Sequence, residues 1–144
     1  MATMGDLLNK MNYSSTRFEH VRELFRTFAL GINQLSEAAE SPVKGIQFSG
    51  DLTASDQFEL RFLGVTWRFI LSAEMPEKGH ATGVVTMYKV PLEGSLEPIK
   101  NMGRFTFQRD GTSDVAEDQD GLNANVGDSY DALFIALTLI DQAS

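Results

Sequence analysis

Three arginines are the residues best placed for chemistry. Arg61, Arg68 and Arg104 each stand out of phase with the apolar residues of a strand-like run. Glu59, Thr66, Thr106 and Gln108 share that parity, so all would project from the outer face of a sheet. Guanidinium groups clustered there would take a carboxylate or a phosphate through paired hydrogen bonds. The competing reading is a solvated face crossed by ion pairs, with Glu59 opposite Arg68 as one of them.

Other chemistries find less support. The two histidines, His20 and His80, lie sixty residues apart in chain order, one on a polar helix face and one in a turn. They read as separate surface groups, without the spacing of metal ligands. The acidic run Asp114-Val-Ala-Glu117-Asp118-Gln-Asp120-Gly121 invites a calcium reading. Aligning Gly121 with the invariant glycine of an EF-hand loop puts Ala116 at the first ligand position and Gly127 at the last, so the pattern fails. No glycine-rich phosphate loop and no nucleophile–histidine grouping can be drawn. The absence of cysteine excludes thiol catalysis, disulfides and Cys-based zinc sites. No catalytic residue, cofactor or metal is expected.

The elements that must carry these residues begin with a helix. Phe18, Val21, Phe25, Phe28, Ile32, Leu35 and Ala39 recur in steps of three and four, which is a helical seam. Thr16 with Glu19 three residues later reads as a capping box that starts the helix, and Ser41-Pro42 ends it. Its apolar arc of roughly 140° suits packing on a sheet better than a coiled-coil stripe. Ahead of it, Met4, Leu7, Leu8 and Met11 suggest a short amphipathic arm or helix over residues 1–15, with one domain over 16–144.

A short strand is expected around Ile46 and Phe48. The clearest β pattern follows, a hairpin with Phe58, Leu60, Phe62, Trp67, Phe69 and Leu71 on one face. Two registers compete. A Leu63-Gly64 loop sets Glu59 against Arg68, whereas a Gly64-Val65 loop sets Arg61 against Arg68. Further strands are expected over 82–90 and 99–109. Residues 112–128, rich in Asp, Asn and Gly, read as a long acidic loop with at most a short strand near Val115. A last helix runs from about Ser129 to Gln142, capped by Asp128. Its apolar arc of roughly 220° is too wide for one contact surface.

The fold expected is therefore α+β: an antiparallel sheet of four to five strands with the long helix and the C-terminal helix packed on one face. The net charge of −8 argues against a nucleic-acid binder. No apolar run is long enough for a membrane span, and MATMGDLLNKMNY lacks the layout of a signal peptide, so a cytoplasmic protein is expected. Leu30 and Ile135 are left on outward helix faces. With Leu7, Leu8 and Met11 they would form the interface of a homodimer.

Helix, hairpin Phe62-Leu-Gly-Val-Thr-Trp-Arg-Phe69, strand ending Phe105-Thr-Phe-Gln-Arg-Asp-Gly111 and closing helix loosely resemble small orphan proteins of bacterial mobile elements, the integron gene-cassette products. That resemblance implies a compact, cytoplasmic, often oligomeric α+β protein without assigned activity. The chain is also similar in size, charge and terminal helices to the acidic chaperones of type III secretion. Pro91 and Pro98 bracket only a short loop where those chaperones carry a helix. Two functions follow as expectations. One is a non-enzymatic interaction module acting as a homo-oligomer, with an unidentified protein partner. The other is an anionic-ligand site or enzyme on the outer sheet face or in a sheet–helix cleft.

Overall fold

The computed structural model describes residues 2–38, 41–53, 55–116 and 121–144. The chain begins with helix α1 (Met4–Glu37), continues through seven strands and closes with helix α2 (Ser129–Ala143). The strands are β1 (Gln47–Ser49), β2 (Gln57–Phe62), β3 (Val65–Glu74), β4 (Thr82–Val90), β5 (Lys100–Phe107), β6 (Thr112–Ala116) and β7 (Asn123–Asn125). They form one antiparallel meander in the order β1-β2-β3-β4-β5-β6-β7. The fold is α+β, with seven strands in place of the four or five expected.

The two additional strands come from the segment read as an acidic loop: β6 is the short strand allowed there near Val115, and β7 was not foreseen. β6 and β7 carry few large apolar residues, and side-chain hydrogen bonds help hold them. Asp114 Oδ1 accepts from the Thr106 amide of β5 at 3.0 Å, and Asn125 Nδ2 donates to the Asp110 carbonyl at 3.1 Å. The Thr112 amide donates to the Asp110 carboxylate, which holds that carboxyl below its ordinary range. Glu117, Asp118 and Asp120 of the calcium reading lie outside the described residues.

α1 also begins earlier than the capping pattern suggested. Thr3 is the N-cap, in a reciprocal capping box with Asp6. Thr16 sits inside the helix, where its hydroxyl donates to the Asn12 carbonyl one turn back. The arm and the long helix are thus one rod of 34 residues, roughly 50 Å long at 1.5 Å per residue.

The core lies between the sheet and the two helices. Phe58, Leu60, Trp67, Phe69, Leu71, Val85, Met87, Phe105 and Phe107 are buried on one sheet face, as their alternation requires. Val21, Phe25, Phe28, Ala29 and Ile32 of α1 are buried with them. The β2–β3 register is the one with Glu59 opposite Arg68 and Leu60 opposite Trp67. Leu63 and Gly64 form the turn, both with positive φ (54° and 78°), as a two-residue type I′ turn needs. α2 packs beside α1, with an added Cβ at Gly31 falling 3.1 Å from Ser129 Cα, so glycine there permits the approach.

Trp67 retains 4% of its surface. Its fluorescence is expected to be blue-shifted in the native protein and to move to the red on unfolding. Native emission typical of a solvated indole would contradict this packing.

Candidate functional site

The outer sheet face does not gather its three arginines into one site. Arg68 is engaged by its cross-strand neighbour, with Nε at 3.0 Å and Nη2 at 2.9 Å from Glu59 Oε2. Arg104 lies on β5 opposite Thr86, and Thr86 is opposite Ile70. It therefore stands two strands away from β3, roughly 9–10 Å at normal strand spacing. Arg61, opposite Thr66, is the diagonal neighbour of Arg68. It opens instead into a cleft of about 590 Å³ beneath the β4–β5 connection, where Lys89, Glu93 and Glu97 also line the wall. Two cations and two carboxylates share that cleft, so it has no marked preference for an anion.

A second cleft, of about 500 Å³, opens between the β2–β3 turn and the end of α2. Phe62, Val65, Trp67, Leu137 and Ile140 line it, with Asp141 as its acidic group. The cleft lies between sheet and helix, and its wall is mostly apolar.

The proposed contact residues separate into two groups. Ile135 is completely buried, which corrects its assignment to an outward face. α2 is flanked by α1, by β5 and by β7, and the last was not foreseen. That third neighbour accounts for the unusually wide apolar arc within one chain. Leu30 stays 42% exposed.

Leu7, Leu8 and Met11 are the opposite case. All lie on the part of α1 that runs past the sheet, and they are 44%, 55% and 56% exposed, with Met4 at 71%. Every described residue up to Tyr13 is exposed. The rod is fixed only further on. Arg17 Nη1 donates to the carbonyls of Pro76 (2.7 Å) and Gly79 (3.3 Å) in the β3–β4 turn. Arg22 makes a two-pronged pair with Asp56, Nε–Oδ1 2.7 Å and Nη2–Oδ2 3.0 Å, and also contacts Glu19. This pairing raises the Arg22 pKa, the hydrogen bond to Asp56 contributing most.

The histidines are the pair whose placement the chain order concealed. His20 on α1 and His80 before β4 border one small cleft, which also has Arg17 and Arg109 in its wall. Their separation in sequence leaves no spacing signal; only the meander and the helix crossing bring them together.

Comparison with protein-family models, curated proteins and solved structures finds no match to this chain. Among the described residues, no group of three or more His, Asp or Glu side chains is arranged to hold a metal ion. No described helix is long and apolar enough to cross a membrane.

Proposed function

We propose that this protein is a non-enzymatic interaction module that acts as a cytoplasmic homodimer, joined through the projecting start of α1. The observation that carries the reading is the exposed stripe of Met4, Leu7, Leu8 and Met11 on a helix already formed and capped. Roughly 15–20 Å of helix bears an apolar face that is exposed among the described residues.

The stripe suits a second copy of itself. Its sequence order is Met, Leu, Leu, Met at i, i+3, i+4 and i+7, which reads the same in both directions. Two such helices running antiparallel about a two-fold axis between residues 7 and 8 set Met4 against Met11 and Leu7 against Leu8. A two-fold contact requires this self-complementarity. Charge agrees. Asp6 and Lys10 are the charged residues between residues 2 and 16, and both fall more than about 100° from the centre of the stripe. Thr3, Asn12 and Ser14 border it, with Gly5 and Lys10 further out, each about 110° from its centre on opposite sides, so two chains of net charge −8 can meet there without placing like charges together. A helix that lies on a membrane would instead border such a stripe with lysine and arginine.

One arm covers less than the ~800 Å² per partner of a standard interface, so a dissociation constant in the micromolar range is expected. Light scattering after size exclusion at tens of micromolar is expected to give the dimer mass. Leu7→Glu combined with Leu8→Glu is expected to give a monomer of unchanged thermal stability, because both residues lie outside the core. A wild-type monomer under those conditions, or a dimer that survives the double substitution, would refute the arm interface.

A further inference from the structure

The cleft at His20 and His80 has a composition unlike the rest of this acidic chain. Its wall is Thr16, Arg17 and His20 from α1, His80 and Ala81 from the approach to β4, and Arg109 from the β5–β6 turn. The space is about 210 Å³. Two arginines and both histidines of the molecule converge on it, and among the described residues no carboxylate lines it. None of the three ion pairs among the described residues involves Arg17 or Arg109. Of the acids nearest to these groups in sequence, Glu19 contacts Arg22 and Asp110 accepts from the Thr112 amide, while Glu77, in the β3–β4 turn, is not part of the cleft wall.

The groups are also held in place. His20 Nε2 and the Arg109 carbonyl are 3.3 Å apart, which makes the ring nitrogen the donor. Arg109 Nη1 donates to His80 Nε2 at 2.7 Å, which leaves the ring proton of His80 on Nδ1. Arg17 is steadied by the Pro76 and Gly79 carbonyls and by the Tyr13 ring, 4.5 Å from its guanidinium carbon. Much of their donor capacity is unused. The protein hydrogen bonds of Arg109 occupy Nη1 and those of Arg17 also occupy Nη1, which leaves Nη2 of each for a ligand; Arg17 Nε is buried and not open to the cleft. Guanidinium donors fixed in direction and free of carboxylates are the usual means of binding a phosphate group.

From this we infer that the cleft is a binding site for a phosphate group carried by a small molecule. Arg109 and Arg17 supply charge from two sides, with His80 and His20 as hydrogen-bonding flanks. The site is independent of the dimer reading, since its residues come from one chain and lie beyond the projecting arm. It also differs from the outer-face arginines, which are spread over three strands and partly neutralised.

The two histidines give the test a direct readout, because only two sets of imidazole C–H signals exist. Inorganic phosphate, sulfate and acetate are titrated into the full chain at constant pH and ionic strength, with chloride as reference. Saturable movement of both histidine signals with one common affinity is expected for phosphate and sulfate, and much weaker movement for acetate. Arg109→Gln and Arg17→Gln are each expected to weaken phosphate binding about tenfold or more, the size of one lost charge-assisted contact. Arg61→Gln, in the other cleft, is expected to leave it unchanged. Thermal unfolding without phosphate checks that each variant folds, and either arginine variant suffices if the other does not. Signals that fail to saturate, that move equally with chloride, or that respond to acetate as strongly as to phosphate would overturn the assignment. An equal loss in Arg61→Gln would do the same, since it would mark general surface charge.

Discussion

Phe28→Ala is expected to lower the free energy of unfolding by roughly 3–5 kcal/mol, the range for deleting a buried aromatic side chain. Phe28 has no exposed surface. Its ring meets Phe25 of α1 at 6.2 Å between centroids, Phe58 of β2 at 5.8 Å and Phe105 of β5 at 5.2 Å. β2 and β5 are separated by two strands, so this one side chain joins α1 to both halves of the sheet. Small readjustments cannot refill the space, because the neighbouring rings are themselves locked. Phe58 stacks on Phe69 at 4.9 Å and on Phe48 at 5.2 Å. Against a typical total of 5–15 kcal/mol, such a loss decides whether the domain stays folded at physiological temperature. Urea unfolding of the variant, with an unchanged slope, measures it. A loss under about 1.5 kcal/mol would mean that the aromatic cluster collapses around the gap and that α1 is held chiefly by its polar contacts.

The contrast with the arm is instructive, because the same helical rule governs both. From Met4 to Leu35 the steps of three and four run on through Leu7, Met11, Ser14, Phe18 and Val21 without a break in phase. Thr16 and Glu19 imitate a helix start in the middle of that run. Local chemistry alone does not distinguish a cap from an interior threonine, since both satisfy the hydroxyl. The distinction here is made by the stronger reciprocal box of Thr3 and Asp6. What periodicity conveys is which residues share a face. It does not say whether anything packs on that face, and Leu7 and Phe28 differ only in where the sheet ends.

Strand parity was readable for a similar reason. Alternation in Phe58–Phe62 and Trp67–Leu71 fixes the buried face in either hairpin register, and the Glu59–Arg68 pairing singles out the register found. Residues 112–116 and 123–125 offered no such pattern. Their strands are short, and much of their stabilisation comes from Asp114, Asn125 and Asp110 bonding to backbone, chemistry that in a sequence denotes turns. Missing β7 is what sent Ile135 to the surface in the sequence reading. The histidine cleft was invisible for a third reason, since its members belong to α1 and two turns that meet only through long-range packing.

Gly83→Ala is the substitution for which local propensity and packing give opposite signs. An alanine in place of glycine in a strand interior gains roughly 0.5–1 kcal/mol from reduced chain freedom alone. The register sets Gly83 opposite Phe107 on β5, and the Phe107 ring lies over the glycine. An added Cβ would fall 2.6 Å from Cε2 and closer still to Cζ, inside the ring's van der Waals surface. The ring has no exit: Phe107 is 1% exposed and Phe105 lies 6.4 Å away on the same strand. Packing therefore decides, and Gly83→Ala is expected to destabilise by about 3 kcal/mol, at the upper end for overpacking a filled core. Shrinking the partner tests the cause. Phe107→Leu removes atoms from the collision, so the double variant should be more stable than the sum of the two single losses predicts, by about 1 kcal/mol or more. Strict additivity would place the damage elsewhere. A neutral or stabilising Gly83→Ala would mean that β4 and β5 slide apart readily at this point, and the close seating of Phe107 on Gly83 would not be a determinant of the fold.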